Sequence, residues 1–438
     1  MIAEGRRGRR LTATVTDLEV ARQKAYLISV DFEGAGIGDV ERSLDELVLL
    51  TDTAGSTPVA TVAVRRRSPH AATLIGPGQA ADLARDAQAL DVDVVVFDND
   101  LAPGQQRNLQ QLFECDVVDR VAVILDIFAQ HATSREGMLQ VESALLRYHL
   151  PRLRGKGTEL SRLGGGIGTR GPGETKLETD RRRIRRRITY VEMRLKEVQK
   201  VRDAQRKTRS GSAVPLVSLV GYTNAGKSTL LNALTGAGVL TRDRLFSTLD
   251  STTRRLELSN GRRVLVSDTV GFVRRLPHQL VEAFRSTLQE TVQADLLLHV
   301  VDMSEPGVPD QISAVREVLD SIGAGHIPEL LVLNKTDAAD RTSISRHEQL
   351  YPDAVLVSAA EATGLEELAD RIAGVLARGF LVIDLLIPYT EGSVLGELRR
   401  EAEVLTEDHR ADGTLISVRL PPDRAGRYRR FAPVGRAT

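Results

Sequence analysis

A chain of 438 residues, 42% of them hydrophobic, is long enough for roughly two to four domains with buried cores, and its single cysteine, Cys115, excludes a disulfide framework or a cysteine-type metal cluster. No run of about 18 apolar residues occurs and no apolar segment follows the Arg-rich start, so the reading is a cytoplasmic protein with no membrane span. Formal charge balances at 59 Lys and Arg against 59 Asp and Glu, but residues 151–211 hold 19 basic against 7 acidic residues, so neutrality is an average over unlike parts.

Residues 1–24 are charged and aperiodic and read as a flexible leader. From Ala25, strand-like stretches (25–30, 58–64, 92–97, 115–118) alternate with helix-like ones (40–50, 79–90, 105–113). The alternation predicts a small, mostly parallel α/β subdomain over 25–130. Asp98 and Asp100, at the exit of the third strand, read as turn and cap residues rather than a catalytic pair. Cys115 reads as a small buried hydrophobe.

Beyond Arg120 the period becomes helical. A short apolar helix over 121–129 precedes a second over 134–154, with Met138, Val141, Leu145, Tyr148 and Leu153 on one stripe. After the Gly-rich LGGGIGTRGPGET comes a long polar helix whose apolar residues, Leu177, Ile184, Ile188, Val191, Leu195 and Val198, follow a heptad seam. Residues 131–211 are thus expected to form a long antiparallel helical hairpin with a Gly-rich basic tip. The G-x-G-x-x-G match at Gly166–Gly171 follows no strand and precedes Pro172, so it fails as a dinucleotide fingerprint. Arg181, Arg182, Arg183, Arg185, Arg186 and Arg187 fall within two helical turns, with Arg170 and Lys176 nearby. A one-sign stripe on an extended rod suits a phosphate backbone, and scarce aromatics leave base stacking a small role, so these eight are candidate RNA contacts.

Residues 213–379 hold the chemistry. The stretch Gly221-Tyr222-Thr223-Asn224-Ala225-Gly226-Lys227-Ser228-Thr229 follows an apolar strand-like run and leads into a helix-like one, the context a phosphate loop of pattern G-x-x-x-x-G-K-[ST] requires. Its amides and helix N-terminus suit a pyrophosphate, Lys227 the β and γ phosphates, and the Ser228 hydroxyl Mg²⁺. Phe246-Ser247-Thr248-Leu249-Asp250 follows, with Thr248 the second candidate Mg²⁺ ligand. Asp268-Thr269-Val270-Gly271 ends a strand, where Asp268 can hold Mg²⁺ through water and the Gly271 amide can sense the γ-phosphate. Asn334-Lys335-Thr336-Asp337 ends another strand, its Asp337 suited to the guanine N1–H and 2-amino group. Ser358-Ala359-Ala360 would bring an N–H to guanine O6. Their order at strand ends predicts a doubly wound, mostly parallel P-loop GTPase domain.

Phe272 stands where Ras-like GTPases place the glutamine that orients water, so intrinsic turnover should be low. Asn224 is a candidate holder of K⁺, and Arg254, Arg274 and Arg275 are candidate sources of positive charge, although each also reads as plain surface arginine. Residues 380–438 read as a small α/β appendage with strands at 380–387 and 413–420, a helix at 392–403 and a basic end.

The Gly164–Arg183 stretch GGGIGTRGPGETKLETDRRR, with LDIFAQ, GYTNAGKST, FSTLDSTTR, DTVGF, NKTD and IPY, resembles the HflX family of ribosome-associated GTPases over nearly the whole chain from Tyr26. The resemblance implies association with the large (50S) ribosomal subunit, contact of the rod with rRNA, and splitting of stalled or hibernating ribosomes, with hydrolysis stimulated by the ribosome. The family's reported ATP-dependent RNA unwinding finds no phosphate-loop motif before residue 200. Two other readings stay open: a GTP-timed ribosome assembly factor and a tRNA-modification GTPase, the latter disfavoured by the lone cysteine lying far from the C-terminus. Nothing suggests an obligate dimer, so a monomer is expected.

Overall fold

The computed structural model describes residues 22–32, 37–153, 172–209, 214–236, 245–246, 252–273, 285–305, 307–378, 381–420 and 422–433. A four-stranded, wholly parallel sheet comes first, in the order β2-β1-β3-β4: β1 (Gln23–Phe32), β2 (Ser56–Arg66), β3 (Val94–Phe97) and β4 (Asp116–Asp119). Helices α1 (Ile37–Thr53), α2 (Pro77–Ala89), α3 (Pro103–Phe113) and α4 (Arg120–His131) join and flank them. Central β1, over residues 25–30, and β3 are mostly apolar and buried throughout, whereas edge strand β2 carries Pro58 and alternates in exposure. Cys115 packs against the core and burial pushes its thiol up to about 11, which suits a packing role rather than a reactive one.

Asp98 is not a turn or cap residue. It is buried at the end of β3, where Oδ1 accepts from Arg120 at 2.8 Å and Oδ2 accepts from Ser43 at 2.6 Å and Ser29 at 3.2 Å. Arg120 also meets Glu46 at 2.7 Å and is itself only 3% exposed in its side chain. Burial disfavours its charge, but the two carboxylates outweigh that and hold its pKa above the ordinary arginine value. Asp119, also buried, caps α4 through Ala122 N and receives Tyr148 Oη and Arg152. The polar residues at the carboxyl ends of β3 and β4 therefore fasten helices together.

Helix α5 (Arg135–Arg152) begins at a Ser134 cap and folds back along α4, so that Val141, Ala144 and Tyr148 enter the α1/α4 core. Met138, expected on that stripe, is 53% exposed; the buried face runs through Gln140, Val141, Ala144 and Tyr148 instead. Helix α6 (Pro172–Arg209) packs beside α5. Of its expected seam Val191 is fully buried and Ile184, Ile188, Leu195 and Val198 half-buried, and Arg187–Glu142 and Arg147–Glu192 ion pairs tie the two helices. The tip that would join them, with Arg170, lies outside the described residues.

The second sheet has six strands in the order β10-β9-β8-β5-β7-β6, parallel except for β6 against β7: β5 (Leu216–Gly221), β6 (Thr252–Glu257), β7 (Arg263–Asp268), β8 (Leu296–Asp302), β9 (Glu329–Asn334) and β10 (Val355–Leu356). Helices α7 (Lys227–Thr235), α8 (Arg285–Val292), α9 (Val308–Ser321), α10 (Arg341–Leu350) and α11 (Leu365–Arg378) flank it, and β5 sits where the strand order reverses. The last unit pairs β11 (Leu381–Ile387) and β12 (Glu403–Arg410) on either side of β13 (Gly413–Leu420), all antiparallel, under α12 (Gly392–Glu401) and α13 (Pro422–Tyr428). Strand β12 was not expected: EVLTEDHR is polar because it is an exposed edge, so it lacks the apolar alternation that reveals strands.

Arg120→Leu would leave Asp98 and Glu46 buried without their cation, and breaking a buried pair from one side costs about 3–5 kcal/mol. Urea unfolding of this variant should show a loss of that order, well above that of Arg316→Leu, whose side chain is half-exposed.

Candidate nucleotide-binding site

The loop between β5 and α7 leaves the sheet at Gly221 and turns through Asn224, at φ 60, and Gly226, at φ 88, so that its amides precede a helix N-terminus. Gly226 has no room for a side chain: an added Cβ would lie 2.3 Å from Asn334 Nδ2. Asn334 donates to Ala225 O at 2.8 Å and accepts from Ala359 N at 3.0 Å, so one amide side chain joins three of the expected motifs. Lys227 is buried, its Nζ donating to Gly221 O at 3.1 Å and Tyr222 O at 2.7 Å. Burial pulls its pKa down to about 8, with Asp268 opposing.

Ser228 Oγ donates to Asp268 Oδ2 at 2.5 Å. A hydroxyl and a carboxylate meeting beside a phosphate loop are hard oxygen donors and fit Mg²⁺. Thr269 Oγ1 donates to Leu219 O at 2.6 Å and fixes the start of the DTVG segment. Gly271 lies so close to the phosphate loop that a Cβ would sit 2.8 Å from Thr223 Cα and 2.9 Å from Lys227 Nζ. At the base-recognition side, Lys335 at φ 64 meets Asp302 at 2.6 Å, Asp337 accepts from Ser358 Oγ at 2.5 Å, and Thr336 N donates to Val357 O. Ser358, Ala359 and Ala360 follow β10 after Val357, so the structure gathers the four motifs at the carboxyl ends of their strands. Ser247, Thr248, Leu249 and Asp250 lie outside the described residues, as do Arg274 and Arg275.

Relatives named GTPase HflX match nearly end to end. One from Caldanaerobacter subterraneus subsp. tengcongensis is 43% identical over 94% of this chain and 95% of its own length, and one from Escherichia coli is 44% identical over 92% and 94%. The chain belongs to the HflX family of GTPases. Family models agree by segment: GTP-binding GTPase N-terminal over residues 41–129, GTP-binding GTPase Middle Region over 131–209, and 50S ribosome-binding GTPase over 216–335. Among solved structures, a GTP-binding protein from the archaeon Sulfolobus solfataricus in complex with GDP is similar at 24% identity and a TM-score of 0.42, covering 81% of this chain and 99% of that one.

Two of the expected nucleotide residues in this HflX chain turn their side chains elsewhere. Phe246 places its ring edge-on to Phe128 of α4, with centroids 4.7 Å apart, and is 2% exposed inside the core shared with the first unit. Tyr222 turns its hydroxyl to Glu46 Oε1 of α1 at 2.7 Å. Phe272 is buried among Val220, Leu288, Leu297 and Val315, while its backbone exchanges hydrogen bonds with Gly221 O and Thr223 N. Its ring packs the core below the phosphate loop. Arg254 is exposed on β6 and donates to Thr253 O. Sequence reasoning missed Asp302, the partner of Lys335, and Glu46; the one available signal for Glu46 was a carboxylate set among Leu44, Leu47 and Leu50 on an apolar stripe.

Because burial depresses Lys227, the nucleotide-free chain gains stability as pH rises from about 8 toward the ordinary lysine value, whereas phosphate favours the charged form. Triphosphate binding above pH 8 should therefore take up a proton and weaken with rising pH. Calorimetry at pH 8.5–9 in buffers of different ionisation enthalpy reads this directly, and Lys227→Met should abolish the uptake together with most affinity.

Proposed function

We propose that GTP binding by this chain sets the position of the helical arm α5/α6, and that the arm engages the rRNA of the large ribosomal subunit so that the GTP-bound protein splits stalled or idle ribosomes. One observation carries the coupling. Leu245, Phe246, Val270 and Val273, which flank the two segments that respond to a γ-phosphate, lie in one apolar cluster with Val141, Ala144 and Tyr148 of α5. A change at the phosphate therefore reaches the base of the arm through close-packed side chains.

On the arm, Arg182, Arg183, Arg185 and Arg186 are exposed, whereas Arg187 is engaged by Glu142 through two hydrogen bonds at 2.6 and 3.0 Å. In this reading the RNA-facing charge rests on the first four, with Arg181 half-buried, while Lys176 and Arg170 stay candidates by their place in the sequence. Ser228 and, in the family pattern, Thr248 would hold Mg²⁺, with Asp268 reaching it through water, and the ion would supply positive charge to the β and γ phosphates. With Phe272 buried, no side chain at that position orients water, so intrinsic turnover is slow and ribosome binding supplies the missing order. Asn224, exposed at the loop tip, is the candidate holder of K⁺ against the phosphates.

With a nonhydrolysable GTP analogue, sedimentation should show intact ribosomes falling into subunits; bound protein on unsplit ribosomes would favour the assembly-factor reading. Arg182, Arg183, Arg185 and Arg186 changed together to Gln should weaken ribosome binding by tenfold or more at about 150 mM salt and flatten its salt dependence by roughly 0.7–0.9 per lost phosphate contact. Exchanging K⁺ for Na⁺ should lower the single-turnover hydrolysis rate, and an unchanged rate would remove K⁺ from the scheme.

A further inference from the structure

We infer that Glu46, a residue of the first α/β unit, is a positioning residue for the phosphate loop, acting through Tyr222. The chain of contacts is continuous. Asp98, fixed by Ser29 and Ser43, holds Arg120 at 2.8 Å; Arg120 holds Glu46 Oε2 at 2.7 Å; and Glu46 Oε1 accepts from Tyr222 Oη at 2.7 Å. The guanidinium is buried between two carboxylates, so neither Glu46 oxygen is free to swing and the acceptor offered to Tyr222 is rigid. Two carboxylates against one guanidinium leave the trio with one net negative charge, which makes the bond from the neutral Tyr222 hydroxyl a charge-assisted one.

What Tyr222 does next gives the contact its consequence. Its backbone carbonyl is the nearer of the two that Lys227 Nζ occupies, at 2.7 Å. The following residue, Thr223, donates its N–H to Phe272 O at 2.7 Å and abuts Gly271. Fixing the Tyr222 ring therefore fixes the peptide on which the phosphate-binding ammonium waits and the one against which the γ-phosphate-sensing segment rests. The same clasp walls a cavity of about 340 Å³ that runs from Arg42, Glu46 and Leu49 on α1 to Thr223 and Asn224 on the loop. The nucleotide site of this GTPase is thus completed by a side chain 176 residues away in sequence. The inference rests on the nucleotide site alone and not on any ribosomal role.

The test uses the full chain without ribosomes and follows release of fluorescent GDP and of a fluorescent nonhydrolysable GTP analogue, comparing wild type with Tyr222→Phe, Glu46→Gln and the double variant. Tyr222→Phe removes one hydroxyl from a half-buried ring and leaves the Arg120 trio intact, so the fold and its thermal midpoint should persist. Release of the triphosphate analogue should quicken roughly tenfold, more than release of GDP, and the double variant should be no faster than Tyr222→Phe alone. Rates for Tyr222→Phe within about twofold of wild type, or effects of the two single changes that multiply in the double variant, would overturn the inference. A parallel fall in the thermal midpoint with equal change for both nucleotides would also overturn it, because that pattern marks general loosening.

Discussion

Six residues from Asp268 to Val273 set the terms for everything around them. Their side chains and backbone reach different bodies of the molecule. Asp268 meets Ser228, Thr269 ties back to β5, and Phe272 sinks into the core beneath the loop, while Val270 and Val273 leave the domain for the cluster of α1, α4 and α5. Gly271, without a side chain, is left against Thr223 and Lys227. A segment committed to three partners cannot shift at one without disturbing the others, which is the physical requirement for a nucleotide switch with an output elsewhere.

The output side is stiffened by charge as much as by packing. Arg120 between Asp98 and Glu46, and Asp119 between Tyr148 and Arg152, pin the start of α4 and the end of α5 to the carboxyl ends of β3 and β4. Buried groups of this kind add little net stability, because desolvation offsets most of the attraction, but they admit few alternative arrangements. A rigid seat is what an arm needs if a small displacement at its base is to become a large one at its far end. The Arg152 guanidinium, 3.5 Å over the Tyr148 ring and bonded to Asp119 and Leu101 O, closes that seat.

Part of the charge on the arm is engaged within the fold. Arg147 and Arg187 face Glu192 and Glu142 across the helix pair and are spent on the fold. The exposed arginines belong to a run in which three successive basic residues appear twice within seven positions. A stripe of one sign raises the potential along the helix, which favours a polyanion and disfavours self-association.

Much of this was legible beforehand because it is local. A phosphate loop is a contiguous pattern whose chemistry follows from its own backbone, and strand-helix alternation announces parallel sheets through period alone. The edge strand β12 escaped because exposure had erased its period, and Met138 was misassigned because a helical stripe on paper does not say where the neighbouring helices lie. Asp98 was misread for a related reason: a polar residue at a strand end looks the same whether it faces solvent or a buried arginine, and nothing in the sequence says that the Phe246 ring meets Phe128. From its sequence alone this protein was a GTP-binding chain with a basic helical arm. Only the tertiary structure decided that Glu46 meets the phosphate loop and that Phe128 and Tyr148 share a core with the switch segments, because contacts between residues so far apart in the chain leave no mark on local spacing.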